Sequence, residues 1–428
     1  MDQFKSDFLR TLAERGYLHQ VTDGAALDAA AMSGRITGYI GFDATADSLH
    51  VGSLVQIMLL RHMQRAGHRP IVLMGGGTTK IGDPSGRDET RQLLTDEQID
   101  ANIAGIRRIF DRFLRFDDTP GGAVMANNDL WLSELKYIPL LRDVGRHFTI
   151  NRMLTMDSVK LRLDREQPLT FLEFNYMILQ GYDFVELNKR YGCTLQMGGS
   201  DQWGNIVQGV ELGRRIRDVQ LFGLTSPLIA TASGAKMGKT ASGAVWLNPE
   251  RLSPYDYWQF WRNTEDGDVG RFLRMFTDLE IAEIAKLESL AGAEINSAKE
   301  VLATAATGLC HGEAAAAEAA ATAARTFAGV GGSAALVERS DLPAAKGQVG
   351  LPTFTLEHAA VPVIDVLVAL RMASSKSDAR RLIEQGGVKL NDRPVPGPTA
   401  RVTAADLQPG GTARVSVGKK RHGLIRGA

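Results

Sequence analysis

Two short apolar runs bracket an amphipathic stretch near the start of this 428-residue chain, and that arrangement restricts the fold more than any other feature. Ile36-Thr37-Gly38-Tyr39-Ile40-Gly41-Phe42 predicts a buried strand. Val51, Leu54, Val55, Met58, Leu59 and Met63 then recur at helical spacing, with Asp47 or Ser48 placed to cap that helix. Pro70-Ile71-Val72-Leu73-Met74 predicts a second strand, stopped by Gly75-Gly76-Gly77. A strand, a crossover helix and another strand belong to a parallel sheet of the α/β class. Ligands of such sheets sit beyond the carboxyl ends of the strands, where Tyr39 to Asp43 and the triple glycine fall. The glycines would let backbone approach a ligand closely.

A further strand-to-helix junction is expected at Cys193-Thr194-Leu195-Gln196-Met197-Gly198-Gly199-Ser200-Asp201-Gln202-Trp203, where Ser200 or Asp201 would cap the helix. Residues 249–332 read as helical and are alanine-rich over 313–324. Residues 329–352, with several Gly, Ser and Pro, read as a linker. Beyond it, residues 363–370 and 377–383 predict two short helices, and 386–391 a turn into a strand. The expected organisation is a Rossmann-like parallel-sheet domain over 1–248, an α-helical domain over 249–332, a linker over 333–352 and a small α+β domain over 353–428.

No apolar run approaches the roughly 20 residues that a bilayer span requires, and the first ten residues lack the apolar core and cleavage site of an export signal. Only Cys193 and Cys310 occur, far apart, so neither a disulfide framework nor metal-ligand spacing is expected. A cytoplasmic protein without a membrane partner fits these features. Lys+Arg and Asp+Glu are both 49. Residues 352–428 nevertheless carry 12 Lys/Arg against 6 Asp/Glu, so a module of net +6 sits on a neutral chain. Charge segregated in this way suits a phosphate-rich partner.

Two motifs carry the chemistry. Lys236-Met237-Gly238-Lys239-Thr240 places two lysines around a glycine in a stretch rich in small residues. Alone, such a pair is ordinary solvated surface. The upstream His50-Val51-Gly52-Ser53 falls at the junction of the first strand and its helix, where a helix N-terminus already favours anions. Together they suggest a triphosphate held from two sides.

With these residues in place, the chain resembles the bacterial tyrosyl-tRNA synthetases of class I over essentially its whole length. His50 to Ser53 is similar to the family's HIGH signature and Lys236 to Thr240 to its KMSKS signature. Residues 357–396 resemble an RNA-binding domain shared with a ribosomal protein. Tyr39-Ile40-Gly41-Phe42-Asp43, Gly82-Asp83-Pro84-Ser85-Gly86 and Gly199-Ser200-Asp201-Gln202-Trp203 resemble its pocket segments. The resemblance implies activation of L-tyrosine by ATP, with Mg²⁺ as the nucleotide's companion, then transfer of tyrosine to tRNA(Tyr) by a homodimer.

It also implies roles for individual residues. Tyr39 and Asp183 would meet the phenol, and Asp83, Tyr176 and Gln180 the ammonium group. The spacing of Tyr176, Gln180 and Asp183 allows one helix face to present all three. His50, Lys236, Lys239 and Thr240 would act on the phosphates, with Arg87 and Arg91 as further cations. Gly41, Asp43, Gly52, Ser53, Asp201 and Gln202, with Lys239, would face ATP, Gly52 leaving space for the adenine. Arg371, Lys376, Arg380, Arg381 and Lys389 would contact tRNA, meeting its phosphates rather than base edges because no aromatic platform accompanies them.

Two positions depart from the family pattern: Ser53 replaces the second histidine of HIGH, and Ile40 stands where some relatives place a polar residue toward the ribose. Tryptophanyl-tRNA synthetase is the neighbouring enzyme reading, opposed by the hydroxyl-matching pair Tyr39 and Asp183. A noncatalytic RNA-binding or splicing-helper protein is the other alternative, opposed by intact His50, Lys236 and Lys239. His62, His68, His147 and Cys193 read as packing or surface residues, since no motif adjoins them.

Overall fold

The structure, a computed structural model, describes residues 4–84, 94–232, 234, 237–240, 243–328, 353–356, 360–408, 411–418 and 421–427. Strands β1 (Gln20–Val21), β2 (Thr37–Phe42), β3 (Arg69–Met74), β4 (Val124–Asn127), β5 (Leu195–Gly199) and β6 (Phe222–Ser226) form one sheet in the order β1-β6-β5-β2-β3-β4. Only β1 is antiparallel to its neighbour. From β2 the chain steps outward through β3 and β4, then returns to build β5 and β6 on the other side. The topological switch therefore lies between β2 and β5, which pair at Tyr39↔Gln196.

Strands β5 and β6 are buried along their whole length and β3 nearly so, as expected of a parallel sheet covered on both faces. In β2, Gly41 is the exposed exception, at the carboxyl end. Helix α1 (Leu54–Arg65) crosses from β2 to β3 and buries Leu54, Val55, Ile57, Met58, Leu59, Leu60 and Met63. Burial at those positions follows the 3.6-residue period of its sequence.

The caps differ from the sequence expectation. A 3₁₀ turn, Val51–Ser53, leads into α1, and its cap is His50, whose Nδ1 accepts from Gly52 N at 3.0 Å. Ser48 Oγ instead donates to Leu49 O and accepts from Asn248 N, while Asp47 pairs with Arg251. Helix α2 (Tyr176–Tyr191) precedes β5, and α3 (Trp203–Arg217) follows it through the 3₁₀ turn Ser200–Gln202. Neither Ser200 nor Asp201 supplies a side-chain cap. The triple glycine also does more than end β3. It opens the short helix Gly76–Thr79, and the missing β-carbons at Gly75 and Gly76 admit the side chains of Asp43 and Asn127.

Helices follow from Pro254–Arg262 through α4 (Val269–Phe276) to Glu313–Ala328, and Tyr257, Trp261, Phe272 and Phe276 form an aromatic cluster. The chain divides into two compact units, 1–252 with 256–313 and 253–255 with 314–428. In the second, a five-stranded sheet and helices α5 (Val363–Ala369) and α6 (Lys376–Glu384) enclose a core of Val366, Leu367, Ala379, Val415 and Ile425. Among the described residues no helix is long and apolar enough to cross a membrane. The linker read at 329–352 lies outside them.

Candidate active site

Polar side chains of α2 and of the segments that follow β2, β3 and β5 form two hydrogen-bonded groups. Tyr176 OH donates to Asp43 at 3.3 Å, and Asp43 Oδ1 also accepts from Thr78 Oγ1 at 3.0 Å. One turn along α2, Gln180 Oε1 accepts from Asn205 Nδ2 at 2.9 Å and Gln180 Nε2 donates to Gln202 Oε1 at 3.3 Å. Gln202 Nε2 in turn donates to Asp83 Oδ2 at 3.1 Å and, more weakly, to Asp201 Oδ2 at 3.4 Å. Tyr176 is thus brought to Asp43, and Gln180 and Gln202 to Asp83, while Asp201 stays exposed.

Asp183, one further turn along α2, is 1% exposed. It accepts from Trp131 Nε1 at 2.7 Å and Asn128 Nδ2 at 2.9 Å. Burial pushes its carboxyl up to about 7, against the pull of those two donors. Tyr39 stands nearby, edge-on to Phe184 at 5.3 Å, and its buried hydroxyl has no hydrogen-bond partner among the described residues. Burial and, second, the Asp183 charge hold that hydroxyl well above the ordinary phenol value, so it remains protonated. An orphaned phenol beside a carboxylate is an arrangement that a hydroxylated ligand could complete.

Asn128, Trp131, Thr78 and Asn205 were not singled out by the sequence. Asn128 Oδ1 also accepts from Gly77 N at 2.8 Å, so one amide joins the glycine turn to Asp183. The available signal was its place just beyond an apolar segment of a parallel sheet.

The first signature motif meets described residues of the second. Residues 49–51 and 245–247 run antiparallel, with Val51 N to Val245 O and Leu247 N to Leu49 O both at 2.9 Å, and His50 edge-on to Trp246. Val245 N also donates to Gly238 O at 3.1 Å. Gly238 has φ +91°, a conformation that glycine alone adopts freely. A β-carbon there would lie 2.8 Å from Gly52 N, and one on Gly52 would lie 3.1 Å from Met237 O. The space at Gly52 that the sequence reading assigned to adenine therefore borders Met237 and Gly238. Because Gly52 N–H donates to His50 Nδ1, that ring nitrogen acts as an acceptor and carries no proton.

Ser53 gives its helix no side-chain cap. Lys236, Arg87 and Arg91 lie outside the described residues. For Lys239 and Thr240 the backbone is described, paired with Gly243–Ala244, and the side chains are not. Among the described residues no group of three or more His, Cys, Asp or Glu side chains converges as metal ligands.

In the C-terminal unit, Arg371, Lys376, Arg380, Arg381 and Lys389 are all exposed. Lys376 pairs with Asp365 at 2.7 Å and Arg381 with Asp378 at 2.8 Å. Such exposed pairs contribute little to stability and exchange readily for other anions.

Residues 32–328 match the family model for class I tRNA synthetases (W and Y), and residues 344–425 the model for the C-terminal domain of SYY-like tyrosine–tRNA ligases. The tyrosine–tRNA ligase of Xanthobacter autotrophicus is 62% identical over 99% of this chain and 98% of its own. That of Rhodospirillum rubrum is 60% identical over the same shares. Among solved structures, a C-terminally truncated mitochondrial tyrosyl-tRNA synthetase of Aspergillus nidulans superposes with a TM-score of 0.68 at 30% identity. The match covers 76% of this chain and 95% of that one. A tryptophanyl-tRNA synthetase of Giardia lamblia shares the fold at 15% identity and a TM-score of 0.54.

Proposed function

The chain belongs to the tyrosine–tRNA ligases, class I aminoacyl-tRNA synthetases that use tyrosine, ATP and tRNA as substrates, and from that premise we propose how its residues divide the work. The observation that carries the reading is the meeting of His50 and Gly52 with Gly238, in the same chain that gathers polar groups around Asp43 and Asp83. Tyr39 and Asp183 receive the substrate phenol, while Asp83, Tyr176 and Gln180 hold the ammonium group. ATP enters as its Mg²⁺ complex against Gly41, Asp43, Gly52, Ser53, Asp201 and Gln202.

A carboxylate oxygen of tyrosine bonds to the α-phosphorus as the bond to the bridging oxygen breaks, and pyrophosphate departs with the electron pair. No protein nucleophile is required, so the protein's contribution is positioning and cationic stabilisation. His50, Lys236, Lys239 and Thr240 supply donors to the departing group, with Arg87 and Arg91 as further cations. The terminal ribose hydroxyl of tRNA(Tyr) then attacks the tyrosyl carbonyl and AMP leaves. The helical segment 249–332 lies on the anticodon side, and the basic domain 353–428 meets tRNA phosphates through Arg371, Lys376, Arg380, Arg381 and Lys389. The reaction belongs in the cytoplasm, where the buried free thiols of Cys193 and Cys310 stay reduced.

One paired experiment tests this. The full chain and residues 1–350 should both exchange pyrophosphate into ATP with L-tyrosine and not with tryptophan. Only the shortened chain should lose tRNA charging, and the difference should shrink as salt weakens phosphate contacts of the full chain. Equal exchange with tryptophan, or equal charging by both chains, refutes the corresponding part.

A homodimer is supported by where apolar side chains face solvent. Among the described residues, ten of the thirteen large exposed ones fall within 130–172, including Ile138 at 68% and Phe171 at 69%. Concentrated exposure of this kind marks an association surface. Phe171→Asp should raise the dimer dissociation constant at least about tenfold, the cost of an interface anchor above ~1.4 kcal/mol. Sedimentation equilibrium showing an unchanged dimer would remove residues 130–172 from the interface.

A further inference from the structure

We propose that Asp268 and Arg271 are positioning residues for adenylate formation, holding the chain that enters the second signature in register with His50 and Gly52. Asp268 occupies the N-cap position of α4, where an aspartate ordinarily accepts from a backbone N–H of the helix's first turn. Here it makes no such bond. Its carboxylate, 3% exposed as a residue, instead accepts from Ala232 N at 2.7 Å and pairs with Arg271 at 2.6 Å. Arg271 Nη2 also donates to Ala230 O at 2.5 Å. The first turn of α4 thus fixes both faces of residues 230–232, a few positions before Met237 and Gly238 reach Gly52.

The other end of α4 is anchored to the helix that begins beside Gly52. Arg15 donates to Arg274 O at 3.0 Å, Thr277 O at 2.9 Å and Leu279 O at 2.7 Å, satisfying carbonyls left open at the helix end. Asp278, next in the chain, pairs with Arg61 and Arg65 on the last turns of α1. The result is a closed frame: Gly52, α1, Asp278, α4, Asp268, residues 230–232 with the adjoining Ile229, whose carbonyl accepts from Met237 N at 3.2 Å, then Gly238 and Gly52 again. An eight-residue helix is a strut of about 12 Å that bends little. Loosening its Asp268 end leaves the tyrosine pocket on α2 untouched and shifts the approach of the second signature to the first.

This inference rests on the proposed phosphate role of residues 236–240, so Lys239→Ala is measured beside the new variants. Asp268→Asn, Arg271→Ala and Arg271→Lys are compared with the unaltered chain for adenylate formation rate, tyrosine dissociation constant and melting temperature. Arg271→Ala is expected to slow adenylate formation about 10- to 100-fold, the usual penalty for misplacing reactants by about an ångström. The tyrosine dissociation constant should stay within about twofold, since uniform binding is not what was removed. Arg271→Lys, able to donate to both Asp268 and Ala230 O, should recover most of the rate, and Asp268→Asn should match the alanine variant. Should Asp268→Asn not fold, the exposed Arg271 pair still decides the matter. A rate unchanged in Arg271→Ala while Lys239→Ala is slow overturns the positioning role alone. Parallel loss of rate and tyrosine affinity also overturns it, as a merely structural contact. An unimpaired Lys239→Ala overturns both readings.

Discussion

A Lys239→Ala chain is expected to form tyrosyl-adenylate about 100- to 1000-fold more slowly, the range seen when a preorganised donor to developing charge is removed. Its tyrosine dissociation constant should remain within about twofold of the unaltered chain. The asymmetry follows from when the charge appears. Pyrophosphate gains its extra negative charge as the bridging bond breaks, so an ammonium group aimed there acts chiefly in the transition state. Under the proposed division of roles tyrosine is held by Tyr39, Asp183, Asp83, Tyr176 and Gln180, and no member of that set lies between 236 and 240. Stopped-flow adenylate formation beside an equilibrium tyrosine titration separates the two quantities. A tyrosine affinity that falls as far as the rate would sink this role for Lys239.

Asp183→Asn should lower kcat/KM for tyrosine by about 10- to 100-fold, from ~1.5–3 kcal/mol for a buried hydrogen bond to a charged group. Its effect on phenylalanine should be far smaller, so selectivity narrows. A pocket matched to a hydroxyl leaves buried polar groups unpaired when the hydroxyl is missing, a rule for which tyrosyl-tRNA synthetases themselves are the standard illustration. The pH dependence has a definite sign. Burial raises the folded carboxyl from 3.8 to about 7, so across that window the folded chain holds a proton that the unfolded chain releases. The stability contributed by Asp183 is present at the acid end and is lost as pH rises to about 7. Tyrosine affinity should move the opposite way, rising as the carboxylate forms and can accept the phenol proton. Asp183→Asn should flatten both dependences, and profiles unaltered by the substitution would assign them to another group.

Much of this arrangement was legible before any coordinates. The buried run 36–42, the helical spacing from Val51 to Met63 and the run 70–74 gave the strand-helix-strand unit because local periodicity and burial agree there. Tyr176, Gln180 and Asp183 were named through the family resemblance, and their helical spacing then allowed one helix to carry all three, as α2 does. The caps did not follow. Asp47 and Ser48 have the right local chemistry, but Arg251 and Asn248 arrive from 200 residues away and take those side chains, leaving the cap to His50. Asn128, despite its place just beyond an apolar segment, and Trp131 escaped notice for the same reason. Nothing near them in the chain signals that they would hold Asp183 from more than 50 positions distant.

By itself, then, the sequence determined the α/β class, the positions of the signature motifs and which residues share a helix face, because each depends on interactions spanning a few residues. Only the tertiary structure decided that Gly238 rests on Gly52, that Tyr39 keeps an orphaned hydroxyl beside a carboxyl lifted to about 7, and that Asp268 leaves the backbone of its own helix uncapped and bonds to Ala232 N. Each of those outcomes is a competition between local and distant partners in a desolvated setting. Its winner depends on which backbone the fold brings within hydrogen-bonding reach.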